Sequence, residues 1–267
     1  MSPAPFASSP SPTQGTPAAP PVPDDCKQGT LGYFHTLERL KTNKRTGWVN
    51  QGIHQPESVM DHMGRMALMC LAFPETQTLD IGKCVLLSMV HDIAEADVGD
   101  ITPEHASGVS KATKLALEEK AMDRMCGLLG HPSIAALRLK SLWDEYEARE
   151  TAESKFVKDL DLYELCQQAV EYENTQGCQT LQEFFETTIP RILHPVVKGW
   201  ARELMAERRT LWAQRGWISY KEVLPAPDVP APTTNGVAPP SKASNGIPVR
   251  VYGSHEEGEA AAAATQA

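Results

Sequence analysis

Apolar residues recur at helical spacing through almost the whole chain between its two Pro-rich ends. Ser58 and Asp61 form an S-x-x-D capping arrangement before one such stripe, and Asp80 can cap a following helix that is expected to run through Ala94. Two of the apolar stripes are Leu31, Phe34, Leu37 and Leu40, and Val59, Met63, Met66 and Cys70. Later helices are expected over residues 111–129, 132–148, 152–173, 181–187 and 195–216. Residues 84–90 have strand propensity, but no partner strand is visible, so the sequence predicts an all-α helical bundle.

Both ends of the chain are rich in Pro, Ala, Ser and Thr. Such segments bury too little apolar area to offset the entropy lost on ordering. We therefore predict one globular domain over residues 26–218, flanked by disordered tails over residues 1–25 and 219–267.

The charge balance of the chain excludes several classes of partner. Lys and Arg number 25 against 34 Asp and Glu, for a formal net charge of -9. Without a dense basic cluster, no nucleic-acid polymer is expected to bind. The apolar runs are too short for a membrane span, and the six cysteines are widely spaced, as in reduced core thiols. These features predict a protein with no membrane partner in the cytoplasm, with the nucleus as the alternative compartment.

Four titratable residues lie in stretches that otherwise read as buried helix: His62, His91, Asp92 and Asp161. A single buried His is more often a hydrogen-bonded core residue, and a single buried Asp usually pairs with Arg or caps a backbone. Desolvating four such groups separately would be costly, and a shared divalent cation offsets that cost. Together they favour a metal-dependent hydrolase.

The order of these residues resembles that of the HD-domain metal-dependent phosphohydrolases, and in particular their 5'-deoxynucleotidase branch. Four segments carry the resemblance: R-T-G-W at residues 45–48, P-E-S-V-M-D-H ending at His62, V-H-D-I-A-E-A-D-V-G-D ending at Asp100, and A-E-S-K-F-V-K-D-L-D ending at Asp161. The similarity covers about residues 31–208. It implies the HD-domain helical bundle.

The resemblance also implies two cation sites. His62, His91, Asp92 and Asp161 would hold the first ion, which is manganese, cobalt or a similar cation. Glu95 and Asp100 match further acidic positions of the family. They serve either in acid-base catalysis or, together with the Ile101 carbonyl, in holding a second ion such as magnesium.

The implied reaction is the hydrolysis of deoxyribonucleoside 5'-monophosphates to deoxyribonucleosides and phosphate, with water activated by the metal. Glu95, directly or through Asp100, would manage the proton of the leaving oxygen. Arg45 would grip the phosphate, and Trp48 would pack on the sugar and disfavour a 2'-hydroxyl. Two departures from the bacterial pattern weaken the sugar assignment: Thr46-Gly47 separates this pair, and Gln51-Gly52 replaces R-N. The resemblance also implies a homodimer.

Two alternatives stay open at this point. One is another HD-superfamily enzyme, a phosphodiesterase or a nucleotide triphosphohydrolase, although no set of extra basic residues for three phosphates is visible. The other is a non-catalytic nucleotide-binding protein with a structural metal, against which Glu95 and Asp100 argue. Lys111 and Lys114 can reach a phosphate, but acidic neighbours such as Glu118 favour exposed ion pairs.

Overall fold

The computed structural model describes residues 28–74 and 79–227, and all of them belong to one compact unit. The described residues form helices and no named strand; one isolated bridge pairs Lys44 with Ser58. The all-α prediction is therefore confirmed. The predicted tails lie largely outside the described residues, so the domain bounds 26–218 stay a prediction.

The helices follow one another in a simple order along the chain. They are α1 (Gly29–Thr42), α2 (Thr46–Asn50), α3 (Val59–Cys70), α4 (Ile81–Val90), α5 (Glu95–Val98), α6 (Glu104–Ser107), α7 (Lys111–Leu128), α8 (Ile134–Ala148), α9 (Ala152–Gln176), α10 (Gln182–Thr188) and α11 (Pro195–Gln214). A 3₁₀ helix, Ile189–Arg191, links α10 to α11. No helix among the described residues is long and apolar enough to cross a membrane.

Local capping explains where several helices begin. Ser58 and Asp61 form a complete capping box at α3, and the Asp80 side chain accepts the Lys83 N–H at α4. Thr151 caps α9, which ends at Gly177 with φ +70°. These starts agree with the sequence, but α4 ends at Val90 and not at Ala94. The amides of Ile93 and Glu95 bond three residues back, to Val90 and Asp92, which tightens the chain into a turn before α5.

Helix α9 is the centre of the bundle, in contact with α3, α4, α8, α10 and α11. It is buried on several sides, and Phe156, Leu160 and Cys166 are fully enclosed along it. A second apolar cluster joins α1, α5, α7 and α8 around Met122 and Trp143. The site described below lies where α9 meets α3 and the α4–α5 turn.

The apolar stripe of α1 is only partly in this core. Leu40 is buried, but Leu31 and Phe34 are 63% and 58% exposed. The buried face of α1 instead carries Gly32 and Thr36, whose hydroxyl accepts a hydrogen bond from α7. Small residues on this face allow the two helices to approach closely.

Candidate metal centre

The structure brings together the four residues predicted as ligands of the first ion. His62 comes from α3, Asp161 comes from the middle of α9, and His91 and Asp92 lie on the turn that ends α4. The His62 Nε2 atom lies 3.3 Å from Asp161 Oδ1 and 3.9 Å from Asp92 Oδ2. The His91 Nε2 atom lies 3.2 Å from the same Asp92 oxygen. Three separate helical segments thus meet around His62 Nε2, with His91 and Asp92 on one side and Asp161 on another.

Both imidazoles present an unpartnered nitrogen to this point. His62 and His91 are 0% and 3% exposed, and the Nε2 atom of each is buried without a hydrogen-bond partner. Buried polar atoms in proteins are nearly always satisfied, so two adjacent exceptions require an explanation. A divalent cation would supply it, because neutral imidazole nitrogens and carboxylate oxygens suit such an ion. The donor set therefore fits a metal.

The other ring nitrogens fix how the two imidazoles face the site. His91 Nδ1 lies 2.9 Å from the Ser88 carbonyl oxygen, which can only accept a hydrogen bond. His62 Nδ1 lies 2.5 Å from the Glu164 carboxylate. In the neutral imidazoles that would bind a metal, a proton on each Nδ1 atom leaves the Nε2 lone pair facing the cluster. Hydrogen bonds of this kind orient metal-bound histidines in proteins.

Sequence reasoning missed Glu164. This residue is fully buried on α9, three positions after Asp161 and therefore on the same side of the helix. Arg65 donates to its other oxygen, with an Nε–Oε1 distance of 2.6 Å. Burial alone would raise the pKa of Glu164, but His62 and Arg65 outweigh burial and lower it. An acid at i+3 from a predicted ligand was the available signal.

The carboxylates of the cluster are held in their charged form. Burial opposes the ionisation of Asp92, but His91 and Arg45 outweigh it and keep the pKa of Asp92 below its usual range. Burial also opposes the ionisation of Asp161, but Lys158 outweighs it and keeps the pKa of Asp161 below its usual range. The Lys158 Nζ atom lies 2.5 Å from Asp161 Oδ2. Both acids are therefore ready to serve as anionic ligands.

Glu95 and Asp100 lie on either side of Gly99, whose φ of +75° turns the chain back on itself. The Glu95 side chain is 1% exposed, and its Oε2 has no hydrogen-bond partner. Burial raises the pKa of Glu95 well above its ordinary value, and Asp92 and Asp100 raise it further. Asp100 Oδ2 accepts the Thr46 N–H at 2.5 Å, which joins this turn to the start of α2.

Arg45 belongs to the cluster. Its NH1 donates to Asp92 Oδ2 at 3.1 Å and lies 3.8 Å from Asp100 Oδ1. Burial would lower the pKa of this guanidinium, but Asp100 and Asp92 outweigh burial, and the group stays charged. A guanidinium between two acids at the edge of the cluster can bind a phosphate oxygen.

Trp48 points in another direction. It is 1% exposed, its ring packs against Tyr172 and Phe184, and its indole N–H donates to Glu57 at 2.8 Å. Arg45, which directly precedes α2, thus points towards the cluster, whereas Trp48 within α2 points into the aromatic core. The predicted contact of Trp48 with a sugar stays a prediction.

The acidic neighbours of Lys114 in the sequence predicted an exposed ion pair, but the structure places this lysine beside the site. The pair with Glu118 exists at 3.5 Å, but Nζ also donates to the Ile101 carbonyl at 3.1 Å and lies 3.6 Å from Glu95 Oε1. Lys114 therefore reaches the acidic end of the site. No local pattern in the sequence marked this contact.

A separate cavity of about 560 Å³ opens on the other side of Lys158. It contains none of the predicted ligands of the first ion, and its walls include Arg149, Phe156 and His194.

Comparisons with known proteins agree with this geometry. A family model described as HD domain matches residues 37–200. A human protein named 5'-deoxynucleotidase HDDC2 is 41% identical over 181 residues, which is 67% of this chain and 86% of that protein. A Schizosaccharomyces pombe protein named 5'-deoxynucleotidase hdd1 is 39% identical over 183 residues, covering 68% and 91% of the two chains. The solved structure titled "Predicted metal-dependent phosphohydrolase" from Magnetospirillum magnetotacticum has a TM-score of 0.54 at 27% identity, covering 71% of this chain and 94% of that one.

Proposed function

Because the chain belongs to the HD domain family, we propose that it is a metal-dependent 5'-deoxynucleotidase that hydrolyses deoxyribonucleoside 5'-monophosphates to deoxyribonucleosides and phosphate. The observation that carries this proposal is the pair of unpartnered nitrogens of His62 and His91, which face Asp92 and Asp161. Relatives near 40% identity that carry the name 5'-deoxynucleotidase support the substrate class.

His62, His91, Asp92 and Asp161 would hold the first ion. Two nitrogens with two carboxylate oxygens are a mixed set that suits manganese, cobalt or a similar cation. Glu95, Asp100 and the Ile101 carbonyl offer only oxygens, which suits magnesium at a second site. When bound, such cations stabilise charge on phosphate oxygens and lower the pKa of water.

The residues of the chain divide the remaining tasks. Arg45 presents donors at the edge of the cluster, where they can hold the dianionic phosphate beside Asp92. Lys158 and Tyr146 contact the outer oxygen of Asp161 and hold that carboxylate towards the two imidazoles. Substrate and ligands are thereby kept in one arrangement before any bond changes, which lowers the entropic part of the barrier.

Glu95 is our candidate for the proton donor. Burial and the neighbouring acids raise its pKa well above the ordinary value, which favours the protonated form at neutral pH. A neutral carboxylic acid beside the site can transfer its proton to the departing 5'-oxygen of the sugar. Asp100 positions this end of the site through the Thr46 N–H, so Asp100 acts on the reaction through structure.

We also propose that the protein is a cytoplasmic homodimer, with the nucleus as the alternative compartment. The resemblance to the family supports the dimer, and the net charge of -9 argues against a nucleic-acid polymer as a partner. Static light scattering would test the dimer, because the chain mass is 29.2 kDa and a dimer has twice that mass.

The decisive experiment is a phosphate-release assay on the full-length protein. The substrates are dAMP, dGMP, dCMP and dTMP with their ribonucleotide counterparts, each assayed with Mn²⁺, Co²⁺ and Mg²⁺. Asp92→Ala serves as the inactive control, and Asp123→Ala is a matched change in an exposed acid of α7 outside the cluster. We expect release from deoxynucleotides that Asp92→Ala abolishes and Asp123→Ala retains.

Three results would overturn parts of the proposal. Release of no phosphate from any deoxynucleotide by metal-loaded protein would refute the enzymatic function. Equal turnover of ribonucleotides would refute the sugar preference and the predicted role of Trp48, while the metal chemistry would stand. Activity on triphosphates or phosphodiesters alone would instead identify another HD-superfamily phosphohydrolase.

A further inference from the structure

The ammonium group of Lys114 lies among the groups that would hold the second ion. Its Nζ donates to the Ile101 carbonyl at 3.1 Å and lies 3.6 Å from Glu95 Oε1. Two of the three groups proposed for that ion therefore already face a positive charge. The side chain starts in the first turn of α7 and is 31% exposed.

The charges around the site explain why a cation rests there. Four carboxylates converge, from Asp92, Glu95, Asp100 and Asp161. Arg45 pairs with Asp92, and Lys158 pairs with Asp161. At the Glu95 end, Lys114 is the one cation within 4.0 Å of that carboxylate among the described residues. Arg45 lies 3.8 Å from Asp100, so without Lys114 this end of the site would keep one cation beside its acids.

We propose that Lys114 is a resident substitute for the second divalent cation, which binds only when the lysine ammonium moves out. This inference rests on the proposed function in so far as Glu95, Asp100 and Ile101 form the second cation site. It adds a residue that controls the occupancy of that site.

A second anionic group lies within reach of the Lys114 ammonium. Glu118 lies one helical turn further along α7, with its Oε1 3.5 Å from Lys114 Nζ. The Glu118 carboxylate is 14% exposed, so an ammonium that leaves the Ile101 carbonyl keeps an anionic partner. Exchange then needs only a change of side-chain rotamer, with no movement of the backbone.

The exchange also decides which cation Glu95 faces. With Lys114 in place, Glu95 has no divalent ion to bind and lies 3.6 Å from the ammonium. With a second ion in place, Glu95 is one of its ligands and Lys114 pairs with Glu118. The apparent affinity for the second ion is reduced by the fraction of molecules in which the lysine has moved out.

Calorimetric titration of Mg²⁺ into full-length protein that has been loaded with Co²⁺ at the first site tests this inference. Lys114→Met removes the ammonium and keeps a side chain of similar length. We expect this variant to bind Mg²⁺ at least about tenfold more tightly than the original protein. Lys111→Met is the matched control, because Lys111 is an exposed lysine in the same first turn. Its effect on the Mg²⁺ affinity should stay within about twofold.

The variant Glu118→Gln distinguishes displacement of the Lys114 ammonium from a general effect of negative charge on Mg²⁺ binding. If Lys114 must move to Glu118, Glu118→Gln weakens Mg²⁺ binding in the original protein and has little effect in the Lys114→Met background. A plain loss of negative charge would weaken binding equally in both backgrounds. Circular dichroism and thermal unfolding establish that each variant is folded.

The inference is overturned if Lys114→Met leaves Mg²⁺ affinity unchanged or weakens it, or if neither protein binds Mg²⁺ beside the first ion. Equal effects of Glu118→Gln in the two backgrounds also overturn it. The titration needs no turnover, so its result is independent of the phosphate-release assay that tests the proposed function.

Discussion

Glu164 provides the sharpest test of how the metal centre is built. Glu164→Gln keeps the shape of the side chain and removes its charge. The carboxylate lies 2.5 Å from His62 Nδ1 and is fully buried, so it holds the imidazole with Nε2 towards the cluster. A neutral amide holds that orientation less strongly and leaves the ring a weaker ligand.

The expected magnitude follows from the position of Glu164 behind the ligand. Loss of such a partner typically lowers metal affinity by about 10- to 100-fold, which corresponds to about 1.4 to 2.7 kcal/mol. The effect on folding should be smaller than for a fully buried pair. Arg65 is 27% exposed and keeps hydrogen bonds to Glu171 and Gln168, so a stability loss of about 1–2 kcal/mol is expected.

Calorimetric titration of the metal-free protein with Mn²⁺ measures the first quantity, and urea unfolding measures the second. Glu171→Gln is the matched control, because Glu171 also binds Arg65 but is 45% exposed and does not contact His62. Affinity of Glu164→Gln within about twofold of the original protein would refute the orienting role. So would an equal loss in Glu171→Gln.

Three further predictions concern stability, pH and substrate binding. Arg208→Met leaves the buried Glu173 carboxylate without its cation and should lower the free energy of unfolding in urea by about 3–5 kcal/mol. The control Lys83→Met removes a 30% exposed lysine and should lower it by at most about 1 kcal/mol. Equal losses in the two variants would contradict this prediction. Burial lowers the pKa of His62, but Glu164 and Asp161 outweigh it and raise the pKa to about 10, so the metal-free ring is protonated at neutral pH. Mn²⁺ affinity should therefore rise with pH towards about 10. Calorimetry in buffers of different ionisation enthalpy should show that Mn²⁺ binding releases a proton at pH 7. If no proton is released, His62 is not a ligand that must lose a proton to bind the ion. Arg45→Lys keeps the charge but loses the planar fork, and should raise KM for deoxynucleotides about tenfold, whereas an unchanged KM would remove Arg45 from the phosphate site.

Much of the fold was accessible from the sequence because the relevant signals are local. Ser58 and Asp61 mark the start of α3, and Asp80 marks the start of α4, through contacts within three residues. The sequence predicts that α4 runs through Ala94, but the helix ends at Val90. No breaker stands after Val90, and the turn that closes the helix depends on how His91 and Asp92 meet neighbouring helices.

The candidate site also combines residues that the sequence reveals with a contact that it does not reveal. His62, His91, Asp92 and Asp161 stood out as polar residues on apolar faces, and the structure brings them together. The partner of His62 was not visible in the same way, because Glu164 contacts it across 102 residues of chain. A pairing over that separation depends on how α9 packs against α3.

Arg45 and Trp48 are neighbours in the sequence and were assigned to one substrate, yet they face different surroundings. Arg45 joins the acids of the cluster, while Trp48 packs against Phe184 and Tyr172, which arrive from α10 and α9. A five-residue helix has no periodic stripe long enough to reveal which way each side chain turns.

The sequence by itself determined most of the longer helices, the caps of α3 and α4 and the identity of the four residues around the proposed first ion, because periodicity and capping act between residues a few positions apart. Only the tertiary structure decided that Glu164 stands behind His62 and that Lys114 faces Glu95 and the Ile101 carbonyl. Those contacts depend on the angles at which separate helices pack, and neighbouring residues along the chain do not set those angles.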